Sequence, residues 1–196
     1  MLFLLLAVLA LPEEDKQLIK RLKHRDPEAM NELYVRYGRL ALSIIVRIVR
    51  DQATGEDLLQ ETFLKVWNRM SSFDDERGAL GPWILTIARN RAIDYLRSTD
   101  ARYSQSGYDL ERLERPQFFI DFEEQYVDRD RIRQIRGAFE KLTQNQKQVL
   151  ELAYFEGLSQ SEMAERLNQP LGTVKTWIRT ALQILRQELG EAAIRA

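Results

Sequence analysis

Cationic and amide side chains follow a Pro-Gly turn near the C-terminus of the chain. Lys175, Arg179 and Arg186 are four and seven residues apart, and no acidic residue occurs from Arg166 to Gln187. Such spacings place side chains on one side of an α-helix. Guanidinium and ammonium groups on one helix face can bind phosphates, and neighbouring polar groups can bind base edges. We interpret this stretch as a DNA-binding surface, with an ordinary solvated helix face as the alternative.

Two amphipathic segments joined by a short turn would position that face. Ser159 and Glu162 have the spacing of a capping box, in which two side chains satisfy backbone N–H groups at a helix start. The stretch 168–172 contains Pro and Gly and predicts a helix break, after which we expect Thr173 to cap the second helix. A short helix, a turn of about four residues and a second helix form a helix-turn-helix.

Composition excludes several kinds of site. The 196 residues include no cysteine and a single histidine, His24, so a disulfide, a thiolate metal site and a His-dependent catalytic triad are excluded within the chain. No Gly-rich phosphate loop occurs, which argues further against an enzyme. Asp74 and Asp75 lie in a polar stretch without further ligands nearby, so we expect a solvated loop. We predict no catalytic residue, no cofactor and no metal.

Charge is distributed unevenly along the chain. The net charge is −1, which taken alone argues against a nucleic-acid-binding protein. From Tyr108 to Asp130, however, eight acidic and three basic residues give a net charge of −5, so the rest of the chain has +4. Because this segment also lacks sustained helical periodicity, we interpret residues 101–130 as a flexible acidic linker. It separates two mildly basic parts of the chain.

The chain begins with an apolar run from Leu2 to Leu11. The run is shorter than the roughly 20 residues that span a bilayer. It has no preceding Lys or Arg and no good cleavage site, which argues against a signal peptide. We interpret residues 1–12 as an extension outside the domains or a mis-assigned start, with a packed helix and a membrane anchor as alternatives. We expect no stable membrane insertion and a cytoplasmic location.

Helical periodicity elsewhere predicts an all-α fold of two small domains, residues 13–100 and 131–192. In the first domain we expect apolar residues including Tyr34 to face inward on a long helix that Asp26 and Pro27 begin. A break over 51–55 precedes the next helix. The predicted helices of this domain cover residues 15–24, 27–49, 56–70 and 82–97. In the second domain Thr143 is expected to cap a helix ahead of the helix-turn-helix.

The helix over 82–97 has two distinct faces. One is apolar, whereas the other carries an aromatic ring, hydrogen-bonding groups and a cation, as in Trp83, Asn90 and Arg97. Aromatic and guanidinium groups can stack on unpaired bases, and an Asn amide can bind base edges. The alternative is that Trp83 packs on the preceding loop and that the polar groups are solvated. The residues alone leave both open.

The block from Asp57 to Arg97 resembles the second conserved region of bacterial sigma factors, most closely the extracytoplasmic function (ECF) group of the sigma-70 family. The block from Leu142 to Leu182 resembles the fourth region of that family. The resemblance implies a factor that binds core RNA polymerase, recognises the −35 and −10 promoter elements and promotes DNA melting. It also implies an anti-sigma factor as a further partner. Within the polymerase it implies contacts with the clamp coiled coil of the largest subunit and the flap of the second-largest subunit.

The resemblance assigns roles to residues of this chain. The implied polymerase-binding residues are Asp57, Gln60, Glu61 and Lys65. The implied −10 residues are Trp83, Thr86, Arg89, Asn90, Arg91, Asp94 and Arg97, with the loop over 71–81 completing a pocket for a flipped base. The implied −35 residues are Ser159, Thr173, Lys175, Thr176, Trp177, Arg179, Thr180 and Arg186.

Two features depart from the pattern of the family. Relatives commonly have Arg at the position of Trp177, and indole cannot make bidentate contacts with guanine. Trp177 is therefore expected to pack on sugar or a thymine methyl, or on a neighbouring helix. The N-terminal apolar run has no counterpart. A one-component helix-turn-helix regulator is the alternative function, and it predicts tight duplex binding without polymerase.

Overall fold

The computed structural model describes residues 15–75, 79–98 and 129–189, and for residues 129–132 it describes the backbone only. The described residues belong to two compact units, one on each side of the gap after residue 98. Throughout these ranges the regular elements are helices and none is a strand, which confirms the all-α prediction. The apolar run 1–12, linker residues 101–128 and residues 190–192 of the second predicted domain lie outside them.

The N-terminal unit is a helical bundle built around its longest helix. That helix, α2, packs against each of the other three, and α3 and α4 also pack against each other. Its buried residues include Leu33, Leu40, Ile44 and Ile45, which are at most 2% exposed. The helices are α1 (Lys16–Lys23), α2 (Pro27–Val49), α3 (Gln52–Arg69) and α4 (Leu80–Arg97), with a short 3-10 helix (Met70–Ser72) after α3.

Side-chain caps begin two of these helices. Asp26 accepts a hydrogen bond from the Glu28 N–H at 3.0 Å, and Pro27 takes the first helical position, as predicted. The side chain of Asp51 accepts from the Thr54 N–H at 2.7 Å. Arg50, in the left-handed region with φ 62°, ends α2. The connection between α2 and α3 is therefore only two residues long.

The predicted break over 51–55 was wrong in extent, because α3 begins at Gln52. Gly55 lies inside the helix, where it is buried against α2. A Cβ atom built on Gly55 would lie 2.5 Å from Cγ2 of Val46. The glycine thus allows two helices to approach closely. A second expectation also failed, because Tyr34 is 47% exposed, with its ring against that of Phe63 at 5.0 Å.

An ion-pair and hydrogen-bond network joins α1 to α2. Asp15, at the start of α1, is buried and accepts hydrogen bonds from the Tyr37 hydroxyl and from Arg36. Burial, and then the bond to Asp15, raise the pKa of Tyr37 well above its usual range. Arg21 contacts both Asp26 and Glu32. This network fixes the short N-terminal helix on the bundle.

The C-terminal unit has four helices. Its last helix, α8, packs against the other three. The helix-turn-helix core consists of Val149, Leu152, Met163 and Val174, with partly buried residues around it. The helices are α5 (Arg129–Glu140), α6 (Gln144–Phe155), α7 (Gln160–Arg166) and α8 (Leu171–Leu189). Across the described residues no helix is both long and apolar enough to cross a membrane.

Candidate protein and nucleic-acid interfaces

The outer side of α3 presents polar groups to solvent. Asp57, Gln60 and Glu61 are exposed, Lys65 is half-buried, and Leu64 among them is 63% exposed. The side chains of Asp57 and Gln60 make no hydrogen bond or ion pair with another described residue. The opposite side of α3 is buried in the bundle. The helix therefore presents an acidic and amide surface whose groups are available to a partner.

Glu61 is an exception on this face, because its carboxylate accepts a hydrogen bond from Nε of Arg91 on α4. The two residues are 30 positions apart in the chain. The resemblance to the family implies that Glu61 contacts the polymerase and that Arg91 contacts a phosphate of the DNA. The structure instead brings these two residues together. Sequence spacing carries no signal for such a contact, since it depends on how α3 packs against α4.

The polar face of α4 is largely solvent-exposed, as the helical spacing predicted. Thr86, Asn90, Asp94 and Arg97 are exposed along it, and Arg89 is half-buried. Nη1 of Arg89 donates a hydrogen bond to Oδ1 of Asn90 at 3.0 Å. The Thr86 hydroxyl donates to the backbone carbonyl of Pro82 at 2.8 Å. The arrangement presents one amide, oriented by a neighbouring guanidinium, on an open helix surface.

Trp83 at the start of α4 packs on the preceding segment. Its ring lies 4.8 Å from that of Phe73, which is 7% exposed. Of the two alternatives for Trp83, the structure favours packing on the loop. Phe73 was missed as a site residue. The available signal in the sequence was an aromatic residue inside a polar stretch.

The remainder of the 71–81 stretch departs from a plain loop. Its first residues belong to the 3-10 helix, and Gly81 already lies within α4. Asp75 pairs with Lys23 of α1 at 3.0 Å, and this hydrogen bond holds the pKa of the Asp75 carboxyl below its usual range. Residues 76–78 lie outside the described ranges. A lysine partner explains Asp75 without a metal ion.

The helix-turn-helix begins with the predicted capping box. The Ser159 N–H donates to the carboxylate of Glu162 at 2.6 Å, and the Glu162 N–H donates to Oγ of Ser159 at 3.3 Å. Helix α7 ends where Asn168 adopts φ 49°. The N–H of Asn168 donates to the carbonyl of Glu165, and that of Gln169 to the carbonyl of Ala164, which completes a Schellman motif.

The prediction that Thr173 caps the second helix was wrong. Helix α8 begins at Leu171, and the carbonyl of Pro170 accepts from the N–H groups of Thr173 and Val174. Thr173 is therefore the third residue of the helix. The predicted break was right up to Pro170, but Leu171 and Gly172 already belong to α8, because Pro is favoured next to a helix start and Gly is tolerated in the first turn.

The exposed face of α8 is basic. Lys175, Thr176, Arg179 and Arg186 are exposed, and the three cations make no ion pair with a described residue. The Thr176 hydroxyl donates to the carbonyl of Gly172 at 2.9 Å. An unpaired cationic row on the second helix of a helix-turn-helix has the chemistry that binds phosphates and guanine edges.

Two other residues of α8 point toward the protein. Trp177 is half-buried and packs against the helix-turn-helix core, which selects the neighbouring-helix alternative. The hydroxyl of Thr180 accepts a hydrogen bond from Nε2 of Gln146 at 2.9 Å and donates to the carbonyl of Thr176. Gln146 is buried, and its Oε1 also accepts from the Thr143 N–H. Sequence reasoning missed Gln146, although its spacing from Thr143 is that of a capping box.

Metal-binding groups do not cluster in the described part of the chain. No set of three or more His, Asp or Glu side chains there could hold a metal ion. The polar groups that the structure does bring together form two helix faces in the N-terminal unit and one in the C-terminal unit.

Comparison with known proteins identifies the family of this chain. The family model "Sigma-70 region 2" matches residues 33–102, and "Sigma-70, region 4" matches residues 132–185. The ECF RNA polymerase sigma factor SigK of Mycolicibacterium vanbaalenii is 31% identical over 176 residues, which cover 89% of each chain. The chain belongs to the ECF sigma factors. SigK of Mycobacterium bovis is 31% identical over 175 residues, covering 86% of this chain and 90% of the relative.

Two solved complexes contain chains similar to this one. Rhodobacter sphaeroides SigE, solved in complex with the anti-sigma ChrR, is 26% identical and has a TM-score of 0.46, with 90% of this chain and 98% of that chain covered. The RsbN–BldN complex contains a chain 25% identical, with a TM-score of 0.38 and coverages of 86% and 97%. As an ECF sigma factor, the chain binds core RNA polymerase, recognises −35 and −10 promoter elements and promotes melting of DNA at transcription initiation.

Proposed function

We propose that the exposed side of α3 binds the clamp coiled coil of the largest polymerase subunit. The observation that carries this proposal is the open polar face of Asp57 and Gln60, on a helix buried on its opposite side. Carboxylate and amide groups can pair with arginines on a helical partner, and such pairs give specificity to an interface. Lys65 at the edge of this face completes the surface. The exposed Leu64 adds apolar area at its centre.

The polar face of α4 binds the −10 element as single-stranded DNA. Asn90 is oriented by Arg89 and would bind the edge of a flipped base, while Arg97 and Arg91 would bind phosphates. Thr86 and Asp94 lie on the same exposed face. The paired rings of Phe73 and Trp83 supply an apolar wall next to it rather than a free stacking platform. Flipping costs a few kcal/mol, and contacts of this kind offset the loss of stacking.

The exposed row of α8 binds the −35 element in the major groove. Lys175, Thr176 and Arg179 contact bases or phosphates, and Arg186 contacts the backbone of the duplex. Trp177 and Thr180 hold α8 in place rather than read DNA, because their side chains are engaged within the domain. Ser159 precedes α7 and Thr173 lies in the first turn of α8, and we assign both of them contacts with phosphates of the duplex.

Two further partners complete the proposal. The C-terminal unit binds the flap of the second-largest polymerase subunit, and an anti-sigma factor controls the chain by covering its polymerase-binding surfaces. The chain has no cysteine and one histidine, so a redox or metal signal would be sensed by that partner. The protein acts in the cytoplasm, where polymerase and promoters are located, and carries out no catalysis of its own.

The polymerase-binding face can be tested with a matched pair of variants. Asp57→Asn removes one carboxylate from the proposed contact and should weaken binding of core polymerase about tenfold or more, since removal of one partner of an interfacial charge pair costs about 2–5 kcal/mol. Glu56→Gln removes the same charge from the neighbouring position, whose carboxylate contacts Gln52 within α3, and should leave the affinity unchanged. The measurement is a titration of labelled chain with purified core polymerase.

Two outcomes would contradict this assignment. Equal affinities of the Asp57→Asn variant and the wild type would exclude the α3 face. Tight, sequence-specific binding of a promoter duplex by the chain without polymerase would favour the one-component regulator instead.

A further inference from the structure

The contact between Glu61 and Arg91 connects two surfaces that serve different partners. Glu61 lies on the polymerase-facing side of α3, and Arg91 lies at the edge of the DNA-facing side of α4. Nε of Arg91 donates to the Glu61 carboxylate, and both side chains retain access to solvent, at 29% and 50% exposure. In the free chain, each charge is therefore neutralised by a group that belongs to the other surface.

We propose that the Glu61–Arg91 pair is a latch that polymerase opens. The inference rests on the proposed function of the α3 and α4 faces. In the free chain Glu61 holds Arg91 away from nucleic acid. When cations of the polymerase pair with the Glu61 carboxylate, Arg91 is released and binds a phosphate of the −10 strand. Binding of polymerase thus adds one cation to the DNA-binding face of α4.

The strength of the pair suits a latch. Both groups are partly exposed, so solvent screens their attraction, and exposed pairs of this kind shift an equilibrium by about 1.4- to 5-fold. Cations on a polymerase surface or DNA phosphates can therefore replace either partner at little cost. A buried pair would resist such an exchange.

The neighbouring charges support this assignment to Arg91 in particular. The described ion-pair partner of Glu61 is Arg91 rather than Arg89, and Arg89 contacts Asn90 on its own helix. Asp57 and Gln60 make no hydrogen bond or ion pair with a described residue, so no polar contact of theirs reaches α4. Glu61 is the one residue of the proposed polymerase-binding set whose described partner lies on the promoter-facing helix.

The competing explanation is that the pair permanently braces α3 against α4. The two explanations predict different changes in the affinity of the Arg91→Gln variant for core polymerase. If the pair must open, Arg91→Gln removes a competitor for Glu61 and should tighten binding of core polymerase about 2- to 5-fold. If the pair stays closed as a brace, the same variant should bind polymerase equally or more weakly. Thermal unfolding of each variant would show whether the domain remains folded.

Two controls accompany the titration with core polymerase. Lys20→Gln on α1 removes an exposed positive charge elsewhere in the unit and should leave the affinity unchanged. Arg91→Met also removes the charge, should tighten binding in the same way, and serves if Arg91→Gln fails to fold. Tightening by Arg91→Gln supports the latch, and an unchanged or lowered affinity overturns it. With the Met variant alone, the same two outcomes decide.

The DNA side of the latch is measured on the free chain with a mixed-sequence single-stranded oligonucleotide, since phosphate contacts do not depend on sequence. Glu61→Gln should strengthen binding several-fold and steepen the salt dependence by about 0.7, the value for one added phosphate contact. Adding Arg91→Gln should abolish the gain. Glu56→Gln makes the same charge change without releasing a cation, and an equal gain from that variant overturns the proposal.

Failure of the latch can be separated from failure of the proposed function. If Asp57→Asn binds core polymerase as the wild type does, the α3 face itself is misassigned. If Asp57→Asn weakens binding while Arg91→Gln does not tighten it, only the latch has failed.

Discussion

The two helical units hold their charged functional groups in different ways. In the N-terminal unit some of these groups contact one another, since Glu61 pairs with Arg91 and Arg89 donates a hydrogen bond to the amide of Asn90. In the C-terminal unit, Lys175 and the other cations of α8 make no ion pair with a described residue. A face that meets a single polyanion can leave its cations open. If the bundle binds polymerase on one side and DNA on the other, as we propose, pairing neutralises its charges until both partners are present.

The units also differ in how much core supports these faces. The N-terminal bundle buries residues from all four of its helices, with Ile84 and Leu85 fully enclosed. In the described part of the chain the C-terminal unit buries fewer apolar residues, among them Phe139, Met163 and Val174. The difference predicts that truncating one core residue harms the C-terminal unit far more than the N-terminal one.

The largest expected effect follows from truncating one methionine in each unit. Met163→Ala and Met70→Ala remove side chains that are 1% and 0% exposed, and each should cost about 2–5 kcal/mol of unfolding free energy. Because the C-terminal unit buries fewer apolar residues than the N-terminal bundle, the helix-turn-helix should lose its fold, and −35-dependent promoter binding with it. The N-terminal unit should remain folded at 25 °C, with a lowered Tm. Calorimetry of each variant, and titration of its holoenzyme with promoter DNA, would measure this difference between the units. Equal destabilisation of both units would contradict it.

The next largest effect is expected from substitution of the exposed cations of α8. Lys175→Ala or Arg179→Ala should weaken holoenzyme binding to promoter duplex several-fold. Removing one cation that binds a phosphate should also lower the slope of log affinity against log salt by about 0.9. Lys141→Ala removes a cation already paired with Glu188 at 2.7 Å and serves as the control. An unchanged slope for the first two variants would show that α8 does not face the duplex.

Two glycines, one in each unit, should respond to alanine with opposite signs. Gly55→Ala places a methyl group 2.5 Å from Cγ2 of Val46, and this overlap should destabilise the N-terminal unit by about 1–3 kcal/mol despite the better helix propensity. Gly137→Ala in α5 meets nothing within 4 Å and should stabilise the C-terminal unit by about 0.5–1 kcal/mol. Stabilisation by both changes, in thermal unfolding, would contradict the close approach of α2 and α3.

The smallest expected effect is a loss of folding stability at low pH. Backbone hydrogen bonding at the start of α3 lowers the pKa of the Asp51 carboxyl, and the hydrogen bond from Lys23 lowers that of Asp75. A carboxyl with a lowered folded-state pKa stabilises the fold above its unfolded pKa of about 3.9, and this stabilisation is lost as pH falls through the folded-state value. The N-terminal unit should therefore weaken below about pH 4.

Asp51→Asn isolates one contribution to this acid sensitivity. Asparagine caps helices about as well as aspartate but does not titrate. The variant should unfold like the wild type at neutral pH and lose less stability between about pH 4 and pH 2, as measured by circular dichroism. The same acid dependence in both proteins would show that the cap carboxylate contributes nothing to it.

Local signals in the sequence predicted much of this fold. Asp26, Thr143 and Ser159 were recognised as caps because a cap needs only one side chain and the next three residues. Helical spacing likewise predicted which side of α4 is exposed. The predicted starts of α3 and α8 were wrong because of glycine and proline. Such residues can interrupt a helix, begin one or allow close packing. Tertiary contact decides among these roles, as Val46 does for Gly55.

The contacts that define the interfaces were less predictable. Resemblance to the family supplied the roles of Asp57 and Asn90. It did not supply the pairing of Glu61 with Arg91, or that of Gln146 with Thr180, because each joins side chains 30 or more positions apart. Trp177 illustrates the same limit. Its departure from the family pattern was visible in the sequence, but its packing on the core depends on the angle at which α8 crosses the other helices.

Transcription by reconstituted holoenzyme tests the central assignment most directly. Core polymerase from the same organism, the chain and fragmented genomic DNA would be combined, and transcript 5′ ends would be sequenced. We expect chain-dependent starts that share two upstream elements at fixed spacing, and loss of most of these starts with Asp57→Asn but not with Glu56→Gln. Absence of chain-dependent starts, or wild-type starts with Asp57→Asn, would contradict it.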